Sequence, residues 1–308
     1  MKGVLQPGRA RLGFVGLGLM GLPMARRLLK GGYQLTVFTR TPKKAEPLVL
    51  EGARAARDPA DVARQSDAVI TMLPDSPEVI EVVTGEVGLL AGAAPGMLWI
   101  DMSTISPAVT RDLADRCARK GIDCLDAPVS GGPPGAAEGS LAIMVGGSQK
   151  IFDRCLPVLQ CLGQNIVRTG DTGAGQVTKA CNQIVIAATL SGIAEALAVG
   201  GKAGVDTALI RQALLGGYAA SRLLEVHGQR MIKHEFAPGF FVRLHRKDLH
   251  IVLDMARELS LPVPITAFAE QFFNALVADG DGELDNSAIV KVYERLGQVS
   301  VESPSSRP

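Results

Sequence analysis

Across residues 12–167 the chain alternates two textures: short runs rich in Val, Ile, Leu and Phe, and longer stretches whose apolar positions recur every three or four residues. The short runs predict strands at 12–15, 34–38, 68–72, 97–101, 123–125, 141–145 and 165–167, because a strand covered on both faces reads as nearly continuous apolar sequence. The longer stretches predict helices at 20–30, 43–51, 77–83, 107–120 and 149–159. Ser76 before Pro77 and Ser106 before Pro107 read as helix starts, a capping residue followed by proline at the first helical position. Strands and helices in strict alternation build βαβ units around a parallel, doubly wound sheet.

Past residue 170 the strand texture stops, and Ala/Leu/Ile-rich runs at helical spacing predict helices at 175–202, 207–215, 223–233, 246–259, 264–277 and 287–296. The first of these is almost wholly apolar after Gln183, which suits a helix buried between domains or subunits. The pattern thus gives an α/β domain over 10–172 and an all-α domain over 173–300. Residues 301–308, polar and rich in Ser and Pro, are expected to fray.

Charge narrows the partners, since 32 basic against 31 acidic residues leave a net charge of +1 and no electrostatic footprint for nucleic acid. Cys117, Cys124, Cys155, Cys161 and Cys181 form no CxxC pair and no cluster with His at ligand spacing. Reduced, mostly buried thiols and no metal site are expected. No stretch approaches the roughly 18 apolar residues of a bilayer span, so a cytoplasmic protein with no membrane partner is the expectation.

The chemistry begins with RLGFVGLGLMGLPMARRLL, where Gly16, Gly18 and Gly21 fill GxGxxG between the first strand and the first helix. Gly16 permits the tight turn, Gly18 lets backbone approach a pyrophosphate, and Gly21 lets helix pack closely on strand. The turn Gly16, Leu17, Gly18, Leu19, Met20, Gly21 is therefore the candidate dinucleotide cradle, with a ligand-free glycine turn as the competing reading. At the end of the second strand no Asp or Glu occurs between Leu22 and Ala45, so the acid that would hold the ribose hydroxyl of NAD is missing. Thr39, Arg40 and Thr41 stand there instead and suit a 2'-phosphate. NADP(H) is the expected cofactor, NAD(H) a possible one, and a solvated basic helix start the alternative.

In GDTGAGQVTKACNQ, Lys179, Asn182 and Gln183 fall at i, i+3 and i+4, on one face of an apolar helix. A lysine near a positive helix end and partly desolvated favours its neutral amine, as general acid/base work requires; a lysine reaching solvent from a helix start is the bland alternative. Ser130, Gly131 and Gly132 in LDAPVSGG offer a hydroxyl and consecutive N–H groups to a small carboxylate. Ser103 and Thr104 follow another strand at the sheet's carboxyl edge, where open α/β folds bind ligands.

The cluster FVRLHRKDLH holds His245, Lys247, Asp248 and His250. Two histidines five apart point to different helix faces, so a solvated helix start is expected there rather than a metal site, with Lys247 able to reach cofactor or substrate. His227 and His234 read as surface or interface residues, Cys181 as core packing. The roles of His227, His245 and His250 stay open.

Taken in order, GFVGLGLMGLPMA, DAPVSGG, GAGQVTKACNQ and HRKDL resemble the signatures of the β-hydroxyacid dehydrogenase family, from Leu12 to Leu296. The resemblance implies an NAD(P)-dependent oxidoreductase with an N-terminal Rossmann domain and an all-helical C-terminal domain carrying dimer or tetramer contacts. It implies Lys179 as catalytic acid/base, Ser130, Gly131, Gly132 and Asn182 on the substrate, and Leu73, Pro74, Thr104 and Lys247 at cofactor contacts. The expected partner is a small β-hydroxy or β-oxo acid. Asn286 stands where a reductase branch is expected to carry His, and Pro133 with Pro134 stiffens the substrate loop. A non-catalytic dinucleotide-binding protein is the alternative of another class.

Overall fold

Strand β1 (Arg11–Val15) pairs in parallel with β2 (Gln34–Phe38) on one side and β4 (Ala68–Thr71) on the other, and the rest of the sheet is laid out from it. Beyond β2 lies β3 (Arg54–Ala55); beyond β4 come β5 (Leu98–Asp101), β6 (Asp123–Asp126), β8 (Leu141–Gly146) and β7 (Val129–Ser130), with β9 (Gly163–Gly170) on β8. The strands from β1 to β6 run parallel, whereas β8 is antiparallel to β6 and β7. The order reverses at β1 and β4, the switch point where the carboxyl ends of two strands open a crevice.

The computed structural model describes residues 3–303 and divides into two units, Met1–Lys179 and Ala180–Pro308. In the first unit, alternate residues of each strand face opposite ways. Leu12, Phe14, Ile70 and Ile100 enter one buried cluster, and Val15, Val69 and Trp99 enter another. Helices α1 (Gly21–Lys30), α2 (Glu46–Leu50), α3 (Pro59–Arg64), α4 (Ser76–Thr84), α5 (Leu89–Gly92), α6 (Pro107–Ala118), α7 (Gly132–Glu138) and α8 (Gln149–Gln160) cover the two faces. The long helix α9 (Ala174–Lys202) begins in this unit and continues into the second.

The second unit adds α10 (Thr207–Leu215), α11 (Arg222–Lys233), α12 (Val242–Glu258), α13 (Pro264–Ala278) and α14 (Val290–Gly297) around Leu190, Leu197, Leu249 and Phe273. The chain is thus a Rossmann-like sheet with flanking helices followed by a helical region.

Several expectations are corrected. The cap of α4 is Asp75, whose carboxylate accepts from the N–H of Ser76 at 2.6 Å, so Ser76 lies inside the helix. Ser106 occupies the cap position of α6 without a side-chain capping bond. The helix read at 43–51 is a 3-10 turn at Pro42–Lys44 followed by α2, and that at 287–296 is a 3-10 turn at Asn286–Ile289 followed by α14.

The tail is anchored where it was expected to fray. Thr207 Oγ1 donates to the carbonyl of Val301 at 2.7 Å, and Ser303 Oγ donates to Asp206 Oδ1 at 2.8 Å; the remainder, 304–308, lies outside the described residues. Helix α9 also reaches a mean hydropathy of 1.8 over 18 residues, 33% of them buried. It is long and apolar enough to cross a membrane by length and composition, contrary to the sequence reading. Small residues such as Ala, Gly and Ser separate its large apolar ones and hide that length from a search for unbroken apolar runs.

Candidate active site

The glycine turn after β1 is built to leave backbone bare. Gly16 has φ +100, and a Cβ there would lie 2.3 Å from the carbonyl oxygen of Met72; one on Gly21 would lie 1.8 Å from the carbonyl oxygen of Gly16. Gly18 has nothing within 4 Å of the same position and is exposed. Two glycines close the turn of strand onto helix while the third opens to solvent, the arrangement that fits a dinucleotide pyrophosphate. Leu17 is buried in the core, so it can offer only backbone here, whereas Leu19 is exposed and Met20 half-buried. The register Val15↔Phe38 brings the end of β2 alongside, followed by half-buried Thr39 and exposed Arg40 and Thr41.

The neighbouring loops are pinned by a buried polar chain. Trp99 Nε1 donates to Thr71 Oγ1 at 3.0 Å, and Thr71 Oγ1 donates to Asp101 Oδ1 at 2.7 Å. The same carboxyl oxygen accepts from the N–H of Ser103 at 3.2 Å, and Ser103 Oγ accepts from the N–H of Leu73 at 2.9 Å. The loop holding Leu73 and Pro74 is thereby fixed to the loop holding Thr104. Burial pushes the Asp101 carboxyl up to about 6 against the hydrogen bonds of Ser103 and Thr71, with the charge of Asp126 adding to the rise. Its Oδ2 is buried without a hydrogen-bond partner.

On the far side, Ser130 is half-buried at the end of β7, paired with Ala142 of β8. Gly131 and Gly132 follow at φ +135 and +64, both left-handed values that only glycine adopts without strain. Their backbone N–H groups are consecutive donors of the kind that suits a small anion. Pro133 and Pro134 stand in the first turn of α7 and supply no N–H, which concentrates donors on the glycines.

Lys179 is 6% exposed, one turn into α9. At the helix end near Lys179, the N–H groups of Gly173 and Gln176 donate to the buried carboxylate of Asp126. Asn182 follows on the same helix and is half-buried, while Cys181 between them is exposed, which corrects its reading as core packing.

In the second unit the FVRLHRKDLH segment is a buried polar knot rather than a solvated helix start. His245 is 0% and Asp248 2% exposed, because α12 begins at Val242, a full turn before the expected start. Asp248 accepts from Gln183 Nε2 at 2.5 Å and lies 2.8 Å from Lys247 Nζ. His245 Nδ1 faces Asn286 Nδ2 at 3.2 Å and packs on Phe240 and Phe273. His250 is exposed and pairs with Glu270. His234 is exposed, as expected, and pairs with Glu294; His227 is only half-exposed, its Nδ1 buried, and burial lowers its pKa against the pull of Asp285.

Sequence reasoning missed Asp101, Asp126, Gln176 and Asp285. The available signal was an acid closing an apolar strand, as in LWID and DCLD.

Residues 11–170 match the model for the NAD binding domain of 6-phosphogluconate dehydrogenase, and residues 173–293 match that for the NAD-binding domain of NADP-dependent 3-hydroxyisobutyrate dehydrogenase. The chain is 46% identical to 2-hydroxy-3-oxopropionate reductase of Escherichia coli over 93% of this chain and 98% of that one. It is 41% identical to 3-hydroxyisobutyrate dehydrogenase of Pseudomonas aeruginosa over 92% and 98%. The crystal structure of a 3-hydroxyisobutyrate dehydrogenase from Salmonella typhimurium superposes with a TM-score of 0.85 at 31% identity, covering 92% of this chain and 99% of that one. The chain belongs to the β-hydroxyacid dehydrogenase family and is an NAD(P)-dependent oxidoreductase.

Proposed function

We propose that the chain reduces tartronate semialdehyde (2-hydroxy-3-oxopropionate) to glycerate, with NADP(H) preferred over NAD(H). The observation that carries the reading is a buried Lys179 one turn into α9, in a family whose 46% identical member acts under that substrate's name. Gly16 to Gly21, Leu73, Pro74, Thr104 and Lys247 would hold the dinucleotide, and Thr39, Arg40 and Thr41 its 2'-phosphate. Bound there, the reduced nicotinamide supplies the hydride.

The protein's own residues do the rest. Ser130 Oγ and the N–H groups of Gly131 and Gly132 bind the substrate carboxylate and, with Asn182, fix the aldehyde in one orientation. Lys179 Nζ delivers a proton to the aldehyde oxygen as negative charge develops on it, and takes that proton back in the oxidative direction. Lys179→Ala is expected to lower kcat by about a thousandfold while dinucleotide affinity, read by fluorescence titration, changes less than threefold. Retained turnover removes the assignment.

The helical unit supports a second copy as partner. Val185 and Val199 on α9, and Ile265 and Phe268 on α13, are more than 60% exposed. A groove lined by Ala188, Gly192, Glu195, Ile265, Phe268 and Tyr293 joins the two helices. Apolar faces of this kind are covered in soluble oligomers. Sedimentation equilibrium is expected to give a dimer or tetramer; a monomer at micromolar concentration contradicts it.

A further inference from the structure

Lys179 can deliver a proton only if its helix is held where the substrate oxygen will be, and two buried side chains of the first unit set that helix. Asp126, closing β6, is 1% exposed. Its Oδ1 accepts from the N–H of Gly173 at 2.8 Å and its Oδ2 from the N–H of Gln176 at 3.0 Å. Helix α9 therefore starts on an acceptor supplied by the strand that leads into the substrate loop, beside the local bond from the N–H of Ala174 to the carbonyl of Asp171 at 2.9 Å.

The fit leaves no slack. A Cβ on Gly146 would lie 2.5 Å from Asp126 Oδ1, and one on Gly175 would lie 2.8 Å from Oδ2 and 2.5 Å from the carbonyl oxygen of Met144. Gln176, also 1% exposed, reaches the other way. Its Nε2 donates to the carbonyl of Ser103 at 2.8 Å, and its Oε1 accepts from the N–H of Ile105 at 3.2 Å. The first turn of α9 is thus tied on one side to β6 and on the other to the loop that carries Thr104. Lys179 stands three residues beyond Gln176, about 4.5 Å along the axis and on the same face.

We propose that Asp126 and Gln176 are the positioning residues of Lys179, fixing the first turn of its helix against the end of β6 on one side and the loop that carries Thr104 on the other. The proposal rests on Lys179 being the proton donor. Neither side chain touches substrate or cofactor in this account; both act through the placement of the amine. A displacement of about 1 Å at a reacting group costs up to about a hundredfold in rate.

The test uses the full-length protein with tartronate semialdehyde and NADPH. Asp126→Asn keeps the volume but loses one of the two acceptors and the charge. It is expected to lower kcat ten- to a hundredfold, with both KM values within threefold of the parent and dinucleotide affinity within twofold. In a Lys179→Ala background the same substitution is expected to change the residual rate less than twofold, because there is no amine left to misplace. A kcat within twofold of the parent overturns the proposal. So does an equal proportional loss in both backgrounds, which would make Asp126 a general stabiliser. If Asp126→Asn fails to bind NADPH, Gln176→Met carries the same paired measurement with the same expected and contrary results. Lys179→Ala retaining full turnover by itself defeats the lysine reading, a result distinct from either failure of the positioning claim.

Discussion

Asp101 shows at the scale of one residue how a site can be held at a cost in stability. Its carboxyl titrates in the folded protein at about 6, against 3.8 ordinarily. A raised acid binds its proton more tightly folded than unfolded. Between pH 4 and 6 the folded state therefore holds a proton that the unfolded state has released, and stability falls as pH rises through that window. The loss amounts to about 3 kcal/mol and does not grow above pH 6. Asp126, also raised by burial, adds in the same direction. In urea titrations, Asp101→Asn is expected to gain on the parent steadily from pH 4 to 6 and to hold a constant difference above. A difference independent of pH contradicts the assignment. In the sequence Asp101 shows only as an acid closing an apolar strand; that it lies buried beside a second acid, Asp126, comes from the pairing of β5 with β6.

At the scale of elements, what was legible followed the hydrophobic period. The parallel strands β1, β2, β4, β5 and β6, and the helices at Gln149–Gln160 and Thr207–Leu215, were foreseen within a residue or so because each repeats a clear apolar pattern. The two-residue strands β3 and β7 and the short helices α3, α5 and α7 were not, because two to seven residues carry too little pattern. Helix α12 was placed a turn late for a different reason. Its start is set by a residue far along the chain: Asp285, 0% exposed, accepts from the N–H groups of Gly239 at 2.9 Å and Phe240 at 3.1 Å. It also accepts from Ser287 Oγ at 2.6 Å and lies 3.4 Å from Arg230.

Burial works to raise Asp285, yet the hydrogen bonds of Ser287, Phe240 and Gly239 and the charge of Arg230 outweigh it and hold its pKa below the ordinary value. The stabilisation is present above the ordinary carboxylate range and lost as pH falls through the folded value. Asp285→Asn is expected to cost about 2 to 4 kcal/mol in urea unfolding at neutral pH. A loss below about 0.5 kcal/mol, within the range of ordinary surface substitutions, contradicts its role as the clamp on α12.

At the scale of the molecule, four short motifs in order, GFVGLGLMGLPMA, DAPVSGG, GAGQVTKACNQ and HRKDL, were enough to reach the family. They were not enough to reach the supports behind it. The glycine turn, the paired glycines after Ser130 and the lysine on α9 are visible in sequence because each is local. Asp126, Gln176, Asp101 and Asp285 act between segments distant in the chain, and spacing carries no trace of that. Substrate choice is the remaining molecular property. The helical unit differs from the expected reductase pattern at Asn286, buried against His245, and the family includes relatives named for 3-hydroxyisobutyrate.

The most direct test is the initial rate of cofactor oxidation by purified protein with tartronate semialdehyde, NADPH and NADH in parallel at matched concentrations. The account predicts rapid, saturable turnover that favours NADPH. Turnover favouring NADH contradicts the role given to Arg40 and its neighbours, and no turnover with either cofactor, where 3-hydroxyisobutyrate supports reduction of NADP or NAD, contradicts the proposed reaction.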